Sequence, residues 1–205
     1  MARPKASPEQ RAEVRRSIQQ AAVALYRAEG LSGVSARAVA KKAGVSVGTI
    51  YAYFGDLSGL GQSLWEPQIA ELEEELHAVA ASHADPVARI EALLRAYLAF
   101  GVEQAELYKN ALLFVRPGTL ETPDKRPLSA FAFPTLLGAA IEQGQAAGTF
   151  VKGDVAVLVQ ILWSGVHGAL ALPVNMDRIA FQPAMEMMDT TVMGLLRIVL
   201  KDAGV

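Results

Sequence analysis

Few side chains in this sequence are spaced as a catalytic site requires. Ser164 and His167 stand one helical turn apart, so they could act as a nucleophile and a general base. The glycine-rich motifs that bind phosphates and the nucleophile turn of hydrolases do not occur, and His77, His83 and His167 are too scattered for a metal site. Cysteine is absent, which excludes disulfides, thiolate nucleophiles and cysteine-ligated metals. We therefore expect a protein that is not an enzyme and that uses no metal or cofactor.

The charged residues are distributed unevenly along the 205 residues. Residues 1–55 contain nine Lys and Arg against three Asp and Glu, whereas residues 56–205 carry a net charge of −8. A compact basic domain attracts polyanions such as DNA, and an acidic body limits how much of the remaining surface binds nucleic acid. The alternative is a solvated basic face without a partner.

Helical periodicity runs through the sequence, without an alternating strand pattern or an internal repeat. Ser7, Ser35 and Ser46 can each cap the start of a helix. Gly30 can end the first helix in the left-handed conformation, and Gly44 permits a sharp turn after the second. These features predict an all-α protein whose first three helices end within 55 residues.

A longer fourth helix is expected to start at Asp56, to bend near Pro67 and to link two parts of the chain. Further helices are predicted at about 86–103, 105–115, 127–147, 154–173 and 183–202. We therefore expect a DNA-binding domain at 8–60, joined by the linking helix to a helical bundle at 61–205 that forms the dimer and senses a ligand.

Residues 30–54 have the layout of a helix-turn-helix. The turn at Gly44 sets two short helices at a steep angle, so that the second one projects into the major groove. Small and apolar residues are placed at the crossing of these helices: Val39, Ala40, Ala43, Val45, Ile50 and Phe54. The exposed side or ends of the third helix then carry Val47, Gly48, Thr49, Tyr51, Ala52 and Tyr53.

This segment strongly resembles the N-terminal domain of the TetR (tetracycline-repressor) family of bacterial regulators. The matching elements are Gly30, Ser35, the Val39-Ala40 pair, the Ala43 to Ser46 run, Gly48 to Tyr51, and Phe54, with Leu60 at the start of the linking helix. The resemblance implies a homodimer that binds double-stranded DNA at a palindromic operator.

The resemblance also implies seven DNA-contacting residues. Base edges would be contacted by Arg37, Val47, Gly48 and Tyr51, and phosphates by Ser35, Thr49 and Tyr53. The chemistry agrees in part, because an arginine can bind guanine with two hydrogen bonds and hydroxyls suit phosphate oxygens. Two alternatives stay open: Tyr51 as a buried helix residue, and Arg37 as a purely structural residue.

One position departs from the family pattern. Most relatives have a lysine two to three residues after the phenylalanine, where this chain has Leu57. A leucine cannot contact a phosphate, so we expect somewhat weaker, less salt-dependent DNA binding. Other basic residues could offset the loss in part: Arg3, Lys5, Arg11, Lys41 and Lys42.

Residues 155–174 contain no charged side chain and are long enough to cross a bilayer. Gln160, Ser164 and His167 interrupt this stretch and no basic cluster flanks it, so we favour a helix buried between its own subunit and a partner. A second apolar surface is expected on the last helix, from Met185, Met188, Val192, Leu195, Leu196 and Val199. Two such helices from each subunit would form a four-helix dimer interface.

The body resembles a subgroup of TetR-like regulators with a Trp, His and Gly motif, here Trp163 to Gly168. A ligand pocket is predicted from Phe100, Tyr108, Leu112, Phe114, Trp163 and His167. The alternative is ordinary core packing with a hydrogen-bonded histidine. A pocket of this composition favours a hydrophobic or aromatic effector.

Together these patterns predict a cytoplasmic transcriptional regulator, namely a repressor that a small, mostly apolar ligand releases from its operator. The cytoplasm is the default location, because the N-terminus has no export signal and the chain has no cysteine. The alternative function is a DNA-binding dimer without a small-molecule effector.

Overall fold

The computed structural model describes residues 7–30, 33–63, 66–105, 108, 127–176 and 178–201. Within these ranges the backbone is mainly helical, and extended segments meet at an isolated bridge between Phe150 and Leu200. The chain divides into two compact units, Met1–Gln68 and Ile69–Val205. The prediction of an all-α fold is confirmed.

The N-terminal unit contains α1 (Pro8–Glu29), α2 (Ala36–Ala43), α3 (Val47–Phe54), α4 (Leu57–Ser63) and the start of α5 (Glu66–Ser82). The three expected serine caps are present, because the hydroxyls of Ser7, Ser35 and Ser46 accept hydrogen bonds from backbone N–H groups three residues further on. Gly44 ends α2 with φ 68° and ψ 29°, a left-handed conformation that glycine adopts without strain.

One small core holds the helices of this unit together. Its fully buried side chains include Ile18 of α1, Val39 of α2, Ile50 of α3 and Leu60 of α4. Each of the four helices therefore contributes a residue to one contact region, which fixes the angle between α2 and α3.

The expected long fourth helix is described in two parts, α4 and α5, and residues 64 and 65 between them lie outside the described residues. Asp56 caps α4 as predicted, with its carboxylate accepting a hydrogen bond from the Gly59 N–H at 2.6 Å. Pro67 lies within α5, and the bend expected near it stays a prediction.

The C-terminal unit contains the rest of α5, α6 (Pro86–Glu103), a single 3-10 turn (Leu128–Ala130), α7 (Ala132–Ala147), α8 (Val155–Asn175) and α9 (Ala184–Val199). The predicted helix at 105–115 lies mostly outside the described residues. The last helix ends at Val199 rather than residue 202, because the chain then becomes extended. The Lys201 N–H donates to the Thr149 carbonyl at 3.0 Å, and the Val151 N–H donates to the Val199 carbonyl at 2.9 Å.

Helix α8 is central to this unit and packs against α6, α7 and α9. Two glycines let these helices approach closely. A methyl group on Gly101 of α6 would overlap the buried side chain of Leu170 on α8, and one on Gly165 of α8 would overlap Leu195 on α9. At each crossing a leucine side chain occupies the space that a Cβ on the glycine would take. These two contacts set the distances between α6, α8 and α9.

The opposite side of α8 is apolar but exposed. Val157 is 53% exposed, and Ile161 and Leu172 are also exposed, whereas the core side is buried. By length and hydropathy α8 could cross a bilayer, although the core helix of a soluble protein passes the same test. Among the described residues, α8 thus has two apolar faces. The subunit's own helices cover one of them, and the other is exposed.

The apolar surface expected on the last helix was assigned to the wrong residues. Val192, Leu195, Leu196 and Val199 are buried in the subunit's own core, and Met188 is half-buried against it. Of the six predicted residues Met185 is the exposed one, at 55%. The exposed apolar side chains of α9 are Met185, Met187, Met193 and Ile198. The larger apolar stripe packs inward because it completes the core against α6 and α8.

Replacing Gly101 by alanine should lower the free energy of unfolding by about 1–2 kcal/mol, because the new methyl group must displace Leu170 from a filled core. Chemical denaturation monitored by circular dichroism measures this change. The matched control is Gly138→Ala on α7, where the new Cβ would lie 3.7 Å from Val155 Cγ1 and Val159 Cγ2. Equal stability of the two variants would contradict this account of the helix crossing.

Candidate functional site

Helices α2 and α3 form the predicted helix-turn-helix. Ser35 caps α2 and is exposed, and its Oγ accepts a hydrogen bond from the Ala38 N–H at 3.2 Å. Arg37 is exposed on the first turn of α2 and has no ion-pair partner among the residues that the structure describes. The purely structural alternative for Arg37 therefore has no contact to support it.

Helix α3 has a buried side and an exposed side. Ile50 and Phe54 are buried, whereas Gly48, Tyr51 and Ala52 are exposed. Tyr51 is 47% exposed, so the alternative that it is a buried helix residue was wrong. The remaining predicted contacts, Val47, Thr49 and Tyr53, are half-buried.

Gly48 lies in the first turn of α3 with open space around it. A Cβ placed there would contact the Ser46 Oγ at 3.6 Å, an ordinary distance, and its backbone does not require a positive φ. The fold of this chain therefore does not demand a glycine at this position. A surface that leaves the backbone bare suits close approach by another molecule.

A group of contacts that the sequence did not reveal holds the end of α3. The Arg15 guanidinium donates to the Tyr53 carbonyl at 3.4 Å and to the Glu66 carboxylate at 3.1 and 3.2 Å, and lies 4.8 Å from the centre of the Phe54 ring. One turn later on α1, Gln19 Nε2 donates to the Ser63 carbonyl at 3.0 Å. In the sequence, Arg15 and Gln19 stand four residues apart and outside the apolar positions of α1. This spacing was the available signal that both side chains lie on one side of the helix and could contact the same neighbour.

A cluster of aromatic side chains lies in the C-terminal unit. Tyr97 of α6 stacks on Phe133 of α7 with ring centres 4.3 Å apart, and Tyr108 packs edge-on against Tyr97 at 6.3 Å. Trp163 and His167 of α8 complete the group: the Trp163 ring lies 6.5 Å from that of Phe133, and His167 lies 5.3 Å from Tyr108. We call these five residues the aromatic cluster.

Hydrogen bonds connect the polar atoms of the aromatic cluster. The Tyr108 hydroxyl lies 2.6 Å from His167 Nδ1, and the Tyr97 hydroxyl lies 3.4 Å from the same nitrogen. Trp163 Nε1–H donates to the Tyr97 hydroxyl at 3.2 Å. Burial raises the pKa of both tyrosines and lowers the pKa of His167, because a charge is poorly solvated there. All three groups are therefore neutral near pH 7.

The structure brings together three of the six residues predicted to line a ligand pocket, namely Tyr108, Trp163 and His167. Phe100 is half-buried in the same core. Leu112 and Phe114 lie outside the described residues. Sequence reasoning missed Tyr97 and Phe133, and also Phe131, whose ring lies 6.1 Å from that of Trp163.

The nucleophile and base suggested by Ser164 and His167 do not face each other. Ser164 is exposed and lines an open groove with Val157, Gln160 and Ile161, whereas the His167 ring bonds to Tyr108. The ion-binding groups present in the described ranges do not form a cluster that could hold a metal. His167 is therefore not placed to act as a general base for Ser164.

Comparisons with known proteins match both units. A family model described as bacterial regulatory proteins, tetR family, matches residues 18–60, and one described as a tetracyclin repressor-like C-terminal domain matches residues 90–195. No curated protein matches the chain.

Several solved structures share the fold. FadR from Bacillus subtilis, solved in complex with stearoyl-CoA, is 19% identical with a TM-score of 0.66 over 89% of this chain and 98% of that chain. A TetR transcription regulator from Haloarcula marismortui is 19% identical, with a TM-score of 0.62 over 93% and 100%. RolR in complex with resorcinol is 15% identical, with a TM-score of 0.62 over 96% and 92%. At these identities the likeness shows a common fold.

Replacing Tyr108 by phenylalanine should lower the free energy of unfolding by about 1–2 kcal/mol, because His167 Nδ1 loses its short hydrogen bond inside the core. Urea denaturation measures the difference. The control is Tyr51→Phe, which removes a hydroxyl from an exposed side chain and should leave stability unchanged. A Tyr108→Phe variant as stable as this control would show that the hydrogen bond contributes little.

Proposed function

Because the chain belongs to the TetR family of bacterial regulatory proteins and is a DNA-binding transcriptional regulator, we propose that it is a repressor released from its operator by a small, mostly apolar ligand. The observation that carries the proposal is that one chain contains both an exposed helix-turn-helix and a helical unit with a largely buried aromatic cluster. A dimer bound at a promoter blocks access to it, which favours repression.

The exposed side of the helix-turn-helix is the proposed DNA surface. Arg37 is exposed on α2, has no ion-pair partner in the described ranges and would bind a guanine edge. Tyr51 and the bare backbone at Gly48 would approach neighbouring bases. The remaining proposed contacts are an apolar one from Val47 and phosphate contacts from Ser35, Thr49 and Tyr53. The hydroxyl of Thr49 already lies 2.8 Å from that of Ser46, which orients it at the start of α3.

Leu57 begins α4 and is 41% exposed, so this position offers no phosphate contact. Exposed basic groups at Arg11, Lys41 and Lys42 would supply part of the missing charge. Arg3 and Lys5, which were also expected to contribute, lie outside the described residues.

Replacing Arg37 by alanine should weaken binding to the operator by about 10-fold or more, because a two-hydrogen-bond contact with a base is lost. Fluorescence anisotropy with DNA from upstream of the protein's own gene measures the affinity.

The control is Arg178→Ala, which removes the same charge from an exposed position in the C-terminal unit and should keep wild-type affinity. Equal affinity of the two variants would remove Arg37 from the proposed DNA surface. Weak binding by the wild type to every sequence would count against an operator at this location.

A second copy of the chain is the proposed partner of the exposed apolar side of α8 and α9. These helices pack on each other and present Val157 and Ile161 from α8 and Met193 from α9 to the outside. Apolar surface of this kind is stable in water when it is covered, and a two-fold dimer covers it with the same surface of a second subunit. This proposal also accounts for the uncharged α8 without a membrane.

Replacing Ile161 by glutamate should convert the dimer to a monomer of 21.8 kDa, because each interface would bury an unpaired charge. Light scattering after gel filtration measures the mass. The control is Ala146→Glu, which adds the same charge to an exposed position on α7. A dimeric Ile161→Glu protein would place the interface elsewhere.

The aromatic cluster is the proposed place where the effector binds. FadR was solved with stearoyl-CoA and RolR with resorcinol, so this fold accommodates ligands of very different size in those proteins. In this chain, rings from α6, α7 and α8 lie together with a few hydrogen-bonded polar atoms, and small-molecule sites are typically lined by such a mixture of rings and few polar groups. The Trp, His and Gly motif supplies two of these residues, and membership of the corresponding subgroup stays a prediction.

The proposed release mechanism uses α5. This helix begins in the N-terminal unit, where Glu66 bonds to Arg15, and continues into the C-terminal unit. A ligand that moves α5 would change the separation of the two recognition helices, which operator binding holds near one DNA repeat of about 34 Å. Equal operator affinity with and without every tested ligand would favour the alternative, a DNA-binding dimer without an effector.

A further inference from the structure

One side of α1 bonds to the ends of two other helices. The Arg15 guanidinium donates from Nη1 to the Tyr53 carbonyl, in the last turn of α3, at 3.4 Å. One turn later, Gln19 Nε2 donates to the Ser63 carbonyl, the last of α4, at 3.0 Å. The last carbonyls of a helix have no N–H partner inside that helix, so both side chains bond to acceptors that would otherwise need water.

The first residue of α5 bonds to both of these donors. The Glu66 carboxylate accepts hydrogen bonds from Arg15 Nη2 through both of its oxygens, at 3.1 and 3.2 Å, and one from Gln19 Nε2 at 3.5 Å. Because Glu66 binds Nη2, the other terminal nitrogen of Arg15 points to the Tyr53 carbonyl. A single arginine therefore connects the end of α3 with the start of α5.

The bond from Arg15 to α3 depends on where Glu66 holds the guanidinium. At 3.4 Å this bond is longer than the usual range of about 2.7–3.2 Å, so a small displacement breaks it. The guanidinium is planar and rigid, and a carboxylate that binds Nη2 also fixes the direction of Nη1. The Arg15 side chain is 38% exposed, so without Glu66 it could turn toward water.

The end of α3 is a place where a small movement affects the proposed DNA surface. Tyr53 is a proposed phosphate contact, and its hydroxyl moves with its own backbone carbonyl. Helix α3 has eight residues and is too short to be stable alone, and a cation beside the last carbonyls stabilises such a helix. Loss of the Arg15 contact would therefore loosen the last turn of the recognition helix.

We propose that Arg15 is a positioning residue for the recognition helix and that Glu66 makes it one. The carboxylate holds the guanidinium on the Tyr53 carbonyl, and a shift of the first turn of α5 withdraws it. This inference rests on the proposed function and adds the contact through which α5 acts on α3. It also predicts an unusual sign: DNA is a polyanion that a carboxylate ordinarily repels, whereas Glu66 strengthens operator binding.

The first test compares two carboxylates of the N-terminal unit in the full-length protein. Glu66→Ala removes the group that holds Arg15, whereas Glu13→Ala removes one that pairs with Arg16 on the same helix. Both variants gain one positive charge. Anisotropy should show operator affinity about 5-fold below wild type for Glu66→Ala, and at or above wild type for Glu13→Ala. Operator affinity in Glu66→Ala equal to or above that of wild type would overturn the inference.

The second test asks whether Glu66 acts through Arg15. Arg15→Met should lower operator affinity about 5-fold relative to Arg16→Met, which removes the same charge one residue further along α1. In the Arg15→Met background, Glu66→Ala should have no further effect, because the two residues act as a unit. A second 5-fold loss would assign the effect of Glu66 to α5 itself and overturn the inference.

Salt dependence separates a positioning residue from a direct phosphate contact. The slope of log affinity against log salt should be equal in Arg15→Met and Arg16→Met, because Arg15 contacts the protein and not the DNA. A shallower slope in Arg15→Met alone would make Arg15 a DNA contact and overturn the inference. Affinities are compared at a temperature where circular dichroism shows each variant to be fully folded, so a general loss of stability does not alter them.

Hydrogen exchange follows the end of α3 without DNA. The Gly55 N–H donates to the Tyr51 carbonyl at 2.9 Å, so its exchange rate reports opening of the last turn. Exchange at Gly55 should be about 5-fold faster in Glu66→Ala than in wild type and unchanged in Glu13→Ala. An unchanged rate in Glu66→Ala would show that the contact does not hold α3 and would overturn the inference.

The two readouts separate this inference from the proposed function. Faster exchange at Gly55 in a protein whose wild type binds no operator would support the hold of Glu66 on α3 and contradict the proposed function. A wild type that binds an operator and is released by a ligand, with the same affinities in Arg15→Met and Arg16→Met, would do the reverse.

Discussion

An uncharged helix that is apolar over most of its surface is stable in water only when much of that surface packs against other elements. Helix α8 imposes this constraint on the C-terminal unit. Its inner side is covered by α6, α7 and α9, which approach closely at Gly101 and Gly165. Its outer side remains apolar and exposed in the single chain. The proposed dimer and the aromatic cluster both follow from the burial of this one helix.

The N-terminal unit is stabilised in a different way, because its helices α2 and α3 are short. Helices α2 and α3 have eight residues each and are too short to be stable alone in water. Serine caps start them, the left-handed Gly44 joins them, and a small shared core fixes their angle. Arg15 adds bonds to the last turn of α3 and to the first residue of α5. The position of the recognition helix is thus set from both of its ends.

Local features were predictable from the sequence and distant contacts were not. Caps at Ser35 and Ser46 and the turn at Gly44 depend on residues within four positions, so the helix-turn-helix followed directly. Tyr97 lies 66 residues from Trp163, and no local pattern shows that the two share a hydrogen bond. The stripe on α9 was recognised as apolar, but periodicity alone cannot tell a face that packs on its own subunit from one that remains exposed.

The difference between the buried and the exposed side of α3 has an evolutionary consequence. Ile50 and Phe54 hold the helix in the core, while Gly48, Tyr51 and Ala52 are exposed. Substitutions on an exposed side seldom change stability by more than about 0.5 kcal/mol. With the DNA contacts proposed above, one copy could therefore acquire a new operator after a gene duplication, through changes at these exposed positions, while it keeps the same fold.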